Sequence, residues 1–197
     1  MKRYGIFGGT FNPPHIAHSI IAEDIRGQFT LDKILFLPSG VPPLKEGSDV
    51  ISAQHRLNMA RLAFDGEESF QVCDVEINDS SGKSYTVDTL FKLREIYKND
   101  NVKFYLIIGI DNLIGFPEWK DPEKLFLLSE VVVVNRPFRT LQETLPEYSS
   151  RVTFAKVPML EVSSSMIRYY VKNKKSIKYL VHPEVEKYIY ENKLYLI

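Results

Sequence analysis

Tyr4-Gly5-Ile6-Phe7 leads straight into Gly8-Gly9-Thr10-Phe11-Asn12-Pro13-Pro14-His15-Ile16-Ala17-His18, and this junction decides the fold. The first four residues are a brief aromatic and β-branched run, the form of a buried strand. From Ile16 to Phe29, the residues Ile20, Ile21, Ile25 and Phe29 return to about one face, which predicts an amphipathic helix. Between the two, Gly8 and Gly9 let the backbone approach a ligand closely, and the helix N-terminus favours an anion. His15 and His18, three residues apart, share one face at the mouth of that helix. Imidazole N–H groups there could hold phosphate oxygens. A metal pair is the rival reading, although no cysteine or obvious third ligand supports it; a capped turn carrying two surface histidines is the plainer one. The stretch is neither the G-x-G-x-x-G dinucleotide fingerprint nor the GxxxxGK[ST] P-loop.

The alternation continues outward. Ile34–Leu37, Phe70–Ile77, Phe104–Ile108, Val131–Val134 and Val152–Val157 read as further strands, and Val87, Leu90, Leu93 and Tyr97 mark one face of a helix from Val87 to Tyr97. Near-continuous apolar strands alternating with helices imply an α/β fold with a mainly parallel sheet covered on both sides. Two short helices follow, near Ser165–Asn173 and Pro183–Glu191, with Pro183 suited to a first turn. They are expected as a small C-terminal helical subdomain, from about 163 to 197, packed on the sheet edge. With about 150 residues typical of a domain, 197 residues predict a single domain over 1–197. Ser39–Ser52, which carries Gly40, Pro42, Pro43 and Gly47, is expected as a mobile loop.

Composition narrows the function. At 44% hydrophobic and 12% aromatic residues the chain has material for a packed core, so disorder does not describe it. Lys and Arg (25) balance Asp and Glu (25), against a generally basic nucleic-acid binder. Cys73 is the single cysteine; it rules out an internal disulfide and a cysteine zinc cluster, and reads as a small buried apolar side chain. No apolar run approaches the about 20 residues of a membrane span. Met1-Lys2-Arg3-Tyr4 opens no signal-peptide core, so the expected location is the cytoplasm.

Four more motifs follow strands, at the carboxyl ends where open α/β sheets bind ligands. Pro38-Ser39-Gly40-Val41-Pro42-Pro43-Leu44-Lys45 offers Lys45 as a point charge for a triphosphate, or merely a solvated lysine. Ser84-Tyr85-Thr86-Val87-Asp88-Thr89-Leu90 opens a helix, either as an ordinary N-cap or as free amides and a hydroxyl that receive a carboxylate. Ile108-Gly109-Ile110-Asp111 suits a ribose hydroxyl, and Trp119, beside Lys120, could stack on a flat cationic ring or simply pack. Val162-Ser163-Ser164-Ser165-Met166-Ile167-Arg168 sets hydroxyls at a helix start with a guanidinium one turn inside, another anion site unless the serines only cap.

In combination, GGTFNPPHIAH, PSGVPPLK, SYTVDTL, IIGID with Trp119, and SSSMIR resemble the bacterial nicotinate-mononucleotide adenylyltransferases of the nucleotidyltransferase superfamily. The resemblance runs in order from Ile6 to Leu194-Tyr195. It implies a Rossmann-like, doubly wound sheet and an enzyme that transfers the adenylyl group of ATP to nicotinate mononucleotide, giving deamido-NAD and pyrophosphate. It places Gly8, Gly9, Thr10, Phe11, His15 and His18 at ATP, Lys45 on its phosphates, and Ser164, Ser165 and Arg168 at the β/γ end. His15, His18, Lys45 and Arg168 would be the catalytic set. Gly109 and Asp111 would contact ribose, and Arg136 would lie near adenine. Ser84, Tyr85 and Thr86 would bind the nicotinate carboxylate, with Trp119 on the pyridine ring and Lys120 beside it. Asn12, Ala17, Leu44, Gly115 and Ser165 depart from the common pattern. Mg2+ is expected to arrive on the ATP phosphates, with no protein-built metal site. ATP and nicotinate mononucleotide are the implied partners, not nucleic acid or a membrane, and a homo-oligomer stays open. Rival readings are a related adenylyltransferase acting on phosphopantetheine or nicotinamide mononucleotide, a cytidylyltransferase, and a non-catalytic nucleotide sensor.

Overall fold

Six apolar strands lie side by side and all parallel: β1 (Lys2–Gly9), β2 (Lys33–Pro38), β3 (Phe70–Val72), β4 (Val102–Gly109), β5 (Glu130–Val134) and β6 (Thr153–Ala155). The computed structural model describes residues 1–41, 50–79, 82–134 and 148–196. The helices are α1 (Ile16–Gln28), α2 (Ala53–Phe64), α3 (Thr86–Ile96), α4 (Ile110–Ile114), α5 (Pro122–Leu128), α6 (Ser164–Lys172) and α7 (Pro183–Glu191). The order β3-β2-β1-β4-β5-β6 is doubly wound: the chain builds outward from β1 to β3, then α3 carries it back to β4 on the other side of β1.

Because side chains alternate across a strand, each strand feeds both layers. Leu35 and Leu37, Leu106 and Ile108, and Val131 and Val133 pack under Val87, Leu90 and Leu93 of α3, with Leu113 and Leu125 of α4 and α5. Ile34 and Phe36, Tyr105 and Ile107, and Val132 and Val134 pack under Ala22 and Ile25 of α1 and Ala60 and Phe64 of α2. Both faces are thus dry, as the continuous apolar runs require.

The structure departs from the sequence-based expectation in four places. β3 stops at Val72 rather than running to Ile77, because the Asp74 carbonyl accepts from the amides of Ile77 and Asn78, both at 3.0 Å, and the chain turns. β6 is likewise shorter than Val152–Val157. The C-terminal helices do not rest on the sheet edge: Ile167, Val171, Val185 and Ile189 close around Met59 of α2, with Ile177, Val181 and Leu194, in a third apolar cluster that contains no strand residue. α2 was not expected. Ser52 caps it, its Oγ accepting from the His55 amide at 3.3 Å. The expected mobile loop Ser39–Ser52 falls largely on 42–49, outside the described residues, as does Lys45.

Candidate active site

The carboxyl ends of β1, β2 and β4 lie level, Gly8 pairing with Leu37, Gly9 with Pro38 and Phe7 with Ile107. Strand order reverses between β1 and β4, the switch point outside which open α/β sheets bind ligands in a crevice. The β1–α1 segment crosses this end of the sheet.

Its shape follows from Phe11. With φ at +47° the chain folds back, and the ring, 2% exposed, is buried among Phe7, Phe36, Phe64 and His18. A Cβ on Gly9 would meet that ring at 3.0 Å, whereas one on Gly8 would meet nothing within 4 Å. Gly9 therefore makes room for Phe11 and Gly8 faces open space. Phe11, expected at ATP, has only main chain to offer a ligand.

The two histidines stack, ring centroids 3.7 Å apart at 28°. The His15 amide donates to His18 Nδ1 at 3.0 Å. That bond assigns the tautomer: Nδ1 accepts, so Nε2 carries the proton and is the remaining donor. The ring is fixed further by Phe11, edge-on at 5.0 Å. Among the described residues no group of three His, Cys, Asp or Glu side chains is placed to hold a metal ion.

The C-terminal part reaches into the same segment. Arg168 Nη1 donates to the Asn12 carbonyl at 3.0 Å, Ser164 Oγ to the Pro13 carbonyl at 2.7 Å, and the Tyr195 hydroxyl to Asn12 Oδ1 at 2.9 Å. Burial pushes the Tyr195 phenol well above its usual range, against the pull of the Arg168 and Arg56 charges, so this hydroxyl is a donor at any working pH. Ser163, not Ser164 or Ser165, caps α6, accepting from the Met166 amide at 3.2 Å. Ser165 is exposed and shares a hydrogen bond with Ser163 Oγ at 3.1 Å. Arg168 and Ser164 are thereby drawn from 156 and 151 residues away to the head of α1.

The motif at α3 meets the one after β4. Lys120 Nζ bonds both carboxylate oxygens of Asp88, at 3.0 and 2.8 Å, and lies 5.1 Å from the Tyr85 ring centroid. Asp88 raises the Lys120 pKa through the hydrogen bond, though both groups are exposed. Trp119 is half-buried with one side against Phe116 at 5.1 Å. Ser84 looks inward instead: its Oγ accepts from the Gly40 amide at 3.1 Å. Tyr85 precedes α3 without a side-chain cap, so the first-turn amides beginning at Thr86 lack one. Gly109 ends β4, and Asp111 is exposed in the first turn of α4. Arg136, Leu44 and Lys45 lie outside the described residues.

Three residues at this end of the sheet escaped sequence reading: Arg56, Glu76 and Tyr195. Arg56 interrupts the apolar pattern of α2, which is why neither residue nor helix was legible. Glu76 accepts from Thr89 Oγ1 at 2.8 Å, and burial pushes its carboxyl above the usual range although Thr89 and Ser84 hydrogen bonds oppose this. Tyr195 belonged to the resembling tail but had no assigned task.

A doubly wound parallel sheet with the heads of α1 and α6 joined at its rim is a Rossmann-like architecture, suited to a nucleotide-binding transferase. The cytidylyltransferase-like family model matches residues 6–169. The nicotinate-nucleotide adenylyltransferase of Bacillus subtilis is 40% identical over 195 residues, 99% of each chain, and the probable enzyme of that name from Bacillus licheniformis is 37% identical over the same span. The fold is shared with the Plasmodium falciparum nicotinic acid mononucleotide adenylyltransferase complexed with NaAD, at a TM-score of 0.81, 23% identity and coverage of 99% of this chain and 98% of that one. The chain belongs to the nicotinate-nucleotide adenylyltransferase family of cytidylyltransferase-like proteins.

Proposed function

We propose that the protein joins the adenylyl group of ATP to nicotinate mononucleotide, releasing pyrophosphate and forming deamido-NAD. A phosphate oxygen of the mononucleotide attacks the α-phosphorus in line, and the bond from that phosphorus to the bridging oxygen of pyrophosphate breaks. The attacking monoester is already ionised near neutrality (second pKa about 6), so no protein base is required. Catalysis then consists of alignment and of neutralising charge on the phosphoryl and leaving oxygens.

The observation that carries this reading is the locked His18 tautomer. It presents Nε2–H as a preset donor at the head of α1, beside the α6 mouth with Arg168. His15 and His18 would hold the α-phosphate region, and Gly8, Gly9 and Thr10 with the Phe11 amide would line the chain path. Ser164, Ser165 and Arg168 would take the β/γ end with Lys45, and Gly109, Asp111 and Arg136 the adenosine. Thr86 and the first-turn amides of α3, beside Tyr85, would receive the nicotinate carboxylate, with Trp119 and Lys120 flanking the ring, while Ser84, turned inward to Gly40, would brace the turn behind them. Mg2+ would be held by the ATP phosphates, whose charge it would help neutralise; the donors here are N–H groups and cations, a set that suits the anion rather than a bare metal. On this reading residues 1–197 work as one nucleotidyltransferase domain, in which the part from about 163 completes the phosphate site. A cytoplasmic location fits such chemistry, and among the described residues no helix is long and apolar enough to cross a membrane.

Pyrophosphate release is the test. ATP with nicotinate mononucleotide should support it, with nicotinamide mononucleotide or CTP giving at most about a tenth of the kcat/KM, since an amide leaves the α3 amides without an anion. Equal turnover with CTP would favour a cytidylyltransferase, and nucleotide binding without any release would favour a sensor.

A further inference from the structure

Among the described residues Arg56 is the largest fully buried side chain, 1% exposed, and it sits on α2 beneath the carboxyl ends of β1 and β2. Its guanidinium donates from Nη1 to the Thr10 carbonyl at 3.0 Å, from Nη2 to the Gly40 carbonyl at 2.7 Å, and from Nε to the Ile51 carbonyl at 3.3 Å. Among the described residues these acceptors are all main-chain oxygens. A buried cation is costly, and carbonyl dipoles offset that cost only in part. Burial accordingly depresses its pKa, while the nearby Glu76 and Tyr195 act in the opposite sense. A leucine or methionine would fill a helix–sheet seam at no such cost, so the charge needs a reason, and the two carbonyls it joins supply one. Thr10 belongs to the segment that crosses the switch point, and Gly40 to the segment that follows β2.

We propose that Arg56 is a positioning residue for adenylyl transfer: its fork clamps the Thr10 and Gly40 carbonyls and so sets the main-chain amides that face the ATP phosphates. The inference rests on the function proposed above. In a trans peptide the N–H points opposite to the carbonyl, and the Thr10–Phe11 bond is trans. Pinning the Thr10 oxygen downward on Arg56 therefore turns the Phe11 N–H away from the core, the one group this otherwise buried residue can present. The clamp extends to the acceptor side. Gly40 donates through its own amide to Ser84 Oγ at 3.1 Å, and a Cβ there would lie 2.3 Å from the Glu76 carbonyl oxygen, so that seam closes only around a glycine. One guanidinium thus holds in register the two segments between which the substrates' phosphates would meet. Lysine carries the charge but places its donors on a single nitrogen at the end of a flexible stem, without the planar fork that sets Nη1 on one carbonyl and Nη2 on the other, which separates geometry from charge.

Arg56→Lys and Arg56→Gln are compared with the unaltered protein by pyrophosphate release and by ATP titration calorimetry, each normalised to folded protein by circular dichroism. Both variants should bind ATP about tenfold or more weakly and lose about tenfold or more in kcat/KM for ATP, and lysine should recover little of it. A merely structural arginine would lower the melting temperature and leave KM and kcat per folded molecule within twofold, which would overturn the proposal. Should neither variant fold, NMR of the unaltered protein reads the clamp directly: the Arg56 Nη protons should be resolved and slowly exchanging before ATP is added and stay so afterwards. Their appearance only with ATP would equally overturn it. If the unaltered protein releases no pyrophosphate, the functional reading fails, while calorimetry with ATP still decides the clamp.

Discussion

The two halves of the crevice are built differently. On the triphosphate side, the segment Thr10–Pro13 is held from beneath by Arg56 and from the C-terminal part by Ser164, Arg168 and Tyr195, through bonds of 2.7–3.0 Å to partly or fully buried groups. On the acceptor side, α3 and the stretch after α4 are joined by the exposed Lys120–Asp88 pair, and within that stretch Trp119 packs on Phe116. Pre-set donors raise a rate only if they need not reorganise when charge develops, which requires a braced, dry site. Recognition of a flat ring and a carboxylate needs contact area and a helix end, and tolerates a wetter wall. The braced half is expected to govern turnover and the exposed half affinity for the acceptor.

The contrast can be broken most decisively at His18. His18→Ala should lower kcat by about 10²–10³ with the melting temperature unchanged within a few degrees, as loss of a transition-state donor does; an unaltered kcat would remove the imidazole from the mechanism. Arg168→Ala should cost about 10²-fold in kcat/KM for ATP, the range of a lost charge-assisted bond, with KM for the mononucleotide little changed. Trp119→Ala reverses that pattern: KM for nicotinate mononucleotide should rise about tenfold, a stacking contribution, with kcat retained. A fall in kcat instead would blur the division between the halves. Tyr195→Phe removes one hydrogen bond to Asn12 and should cost about 1 kcal/mol, read as a twofold to tenfold loss of kcat/KM for ATP. Lys120→Ala sits at the bottom of the scale, within about fivefold in KM, because exposed ion pairs contribute little.

Glu76 adds a test of stability across the seam. Its folded pKa lies above the unfolded value of about 4.3, so its contribution is fully present below about pH 4 and is lost as pH rises through the folded pKa. Glu76→Gln, which is neutral at every pH, should therefore melt no lower than the unaltered protein at pH 7. Any advantage should shrink toward pH 4, as followed by thermal denaturation.

Much of this could be read from residue order. Strands appear as short apolar runs because both faces of a parallel sheet are buried; α1 and α3 appear because their apolar spacing is regular, and α6 and α7 were also expected, the latter with Pro183 in its first turn. α2 was illegible because one of its fully buried positions is Arg56, and periodicity assigns an arginine to the solvent face. The short α4 and α5, and the turn at Asp74 that cuts β3, carry too little pattern to register. The packing of the C-terminal helices was misassigned for the same reason as α2, since that helix is the surface they cover.

Local chemistry alone thus determined the layering of the sheet, the junction after β1, and the residue types gathered at its rim, because hydrophobic period and helix-end chemistry act over a few residues. The tertiary structure decided which nitrogen of His18 carries the proton, that Phe11 turns inward, that Ser163 rather than its neighbours caps α6, and that a buried guanidinium ties two segments together. Each of these depends on an atom brought close by the fold, at angles and distances that spacing along a chain does not encode.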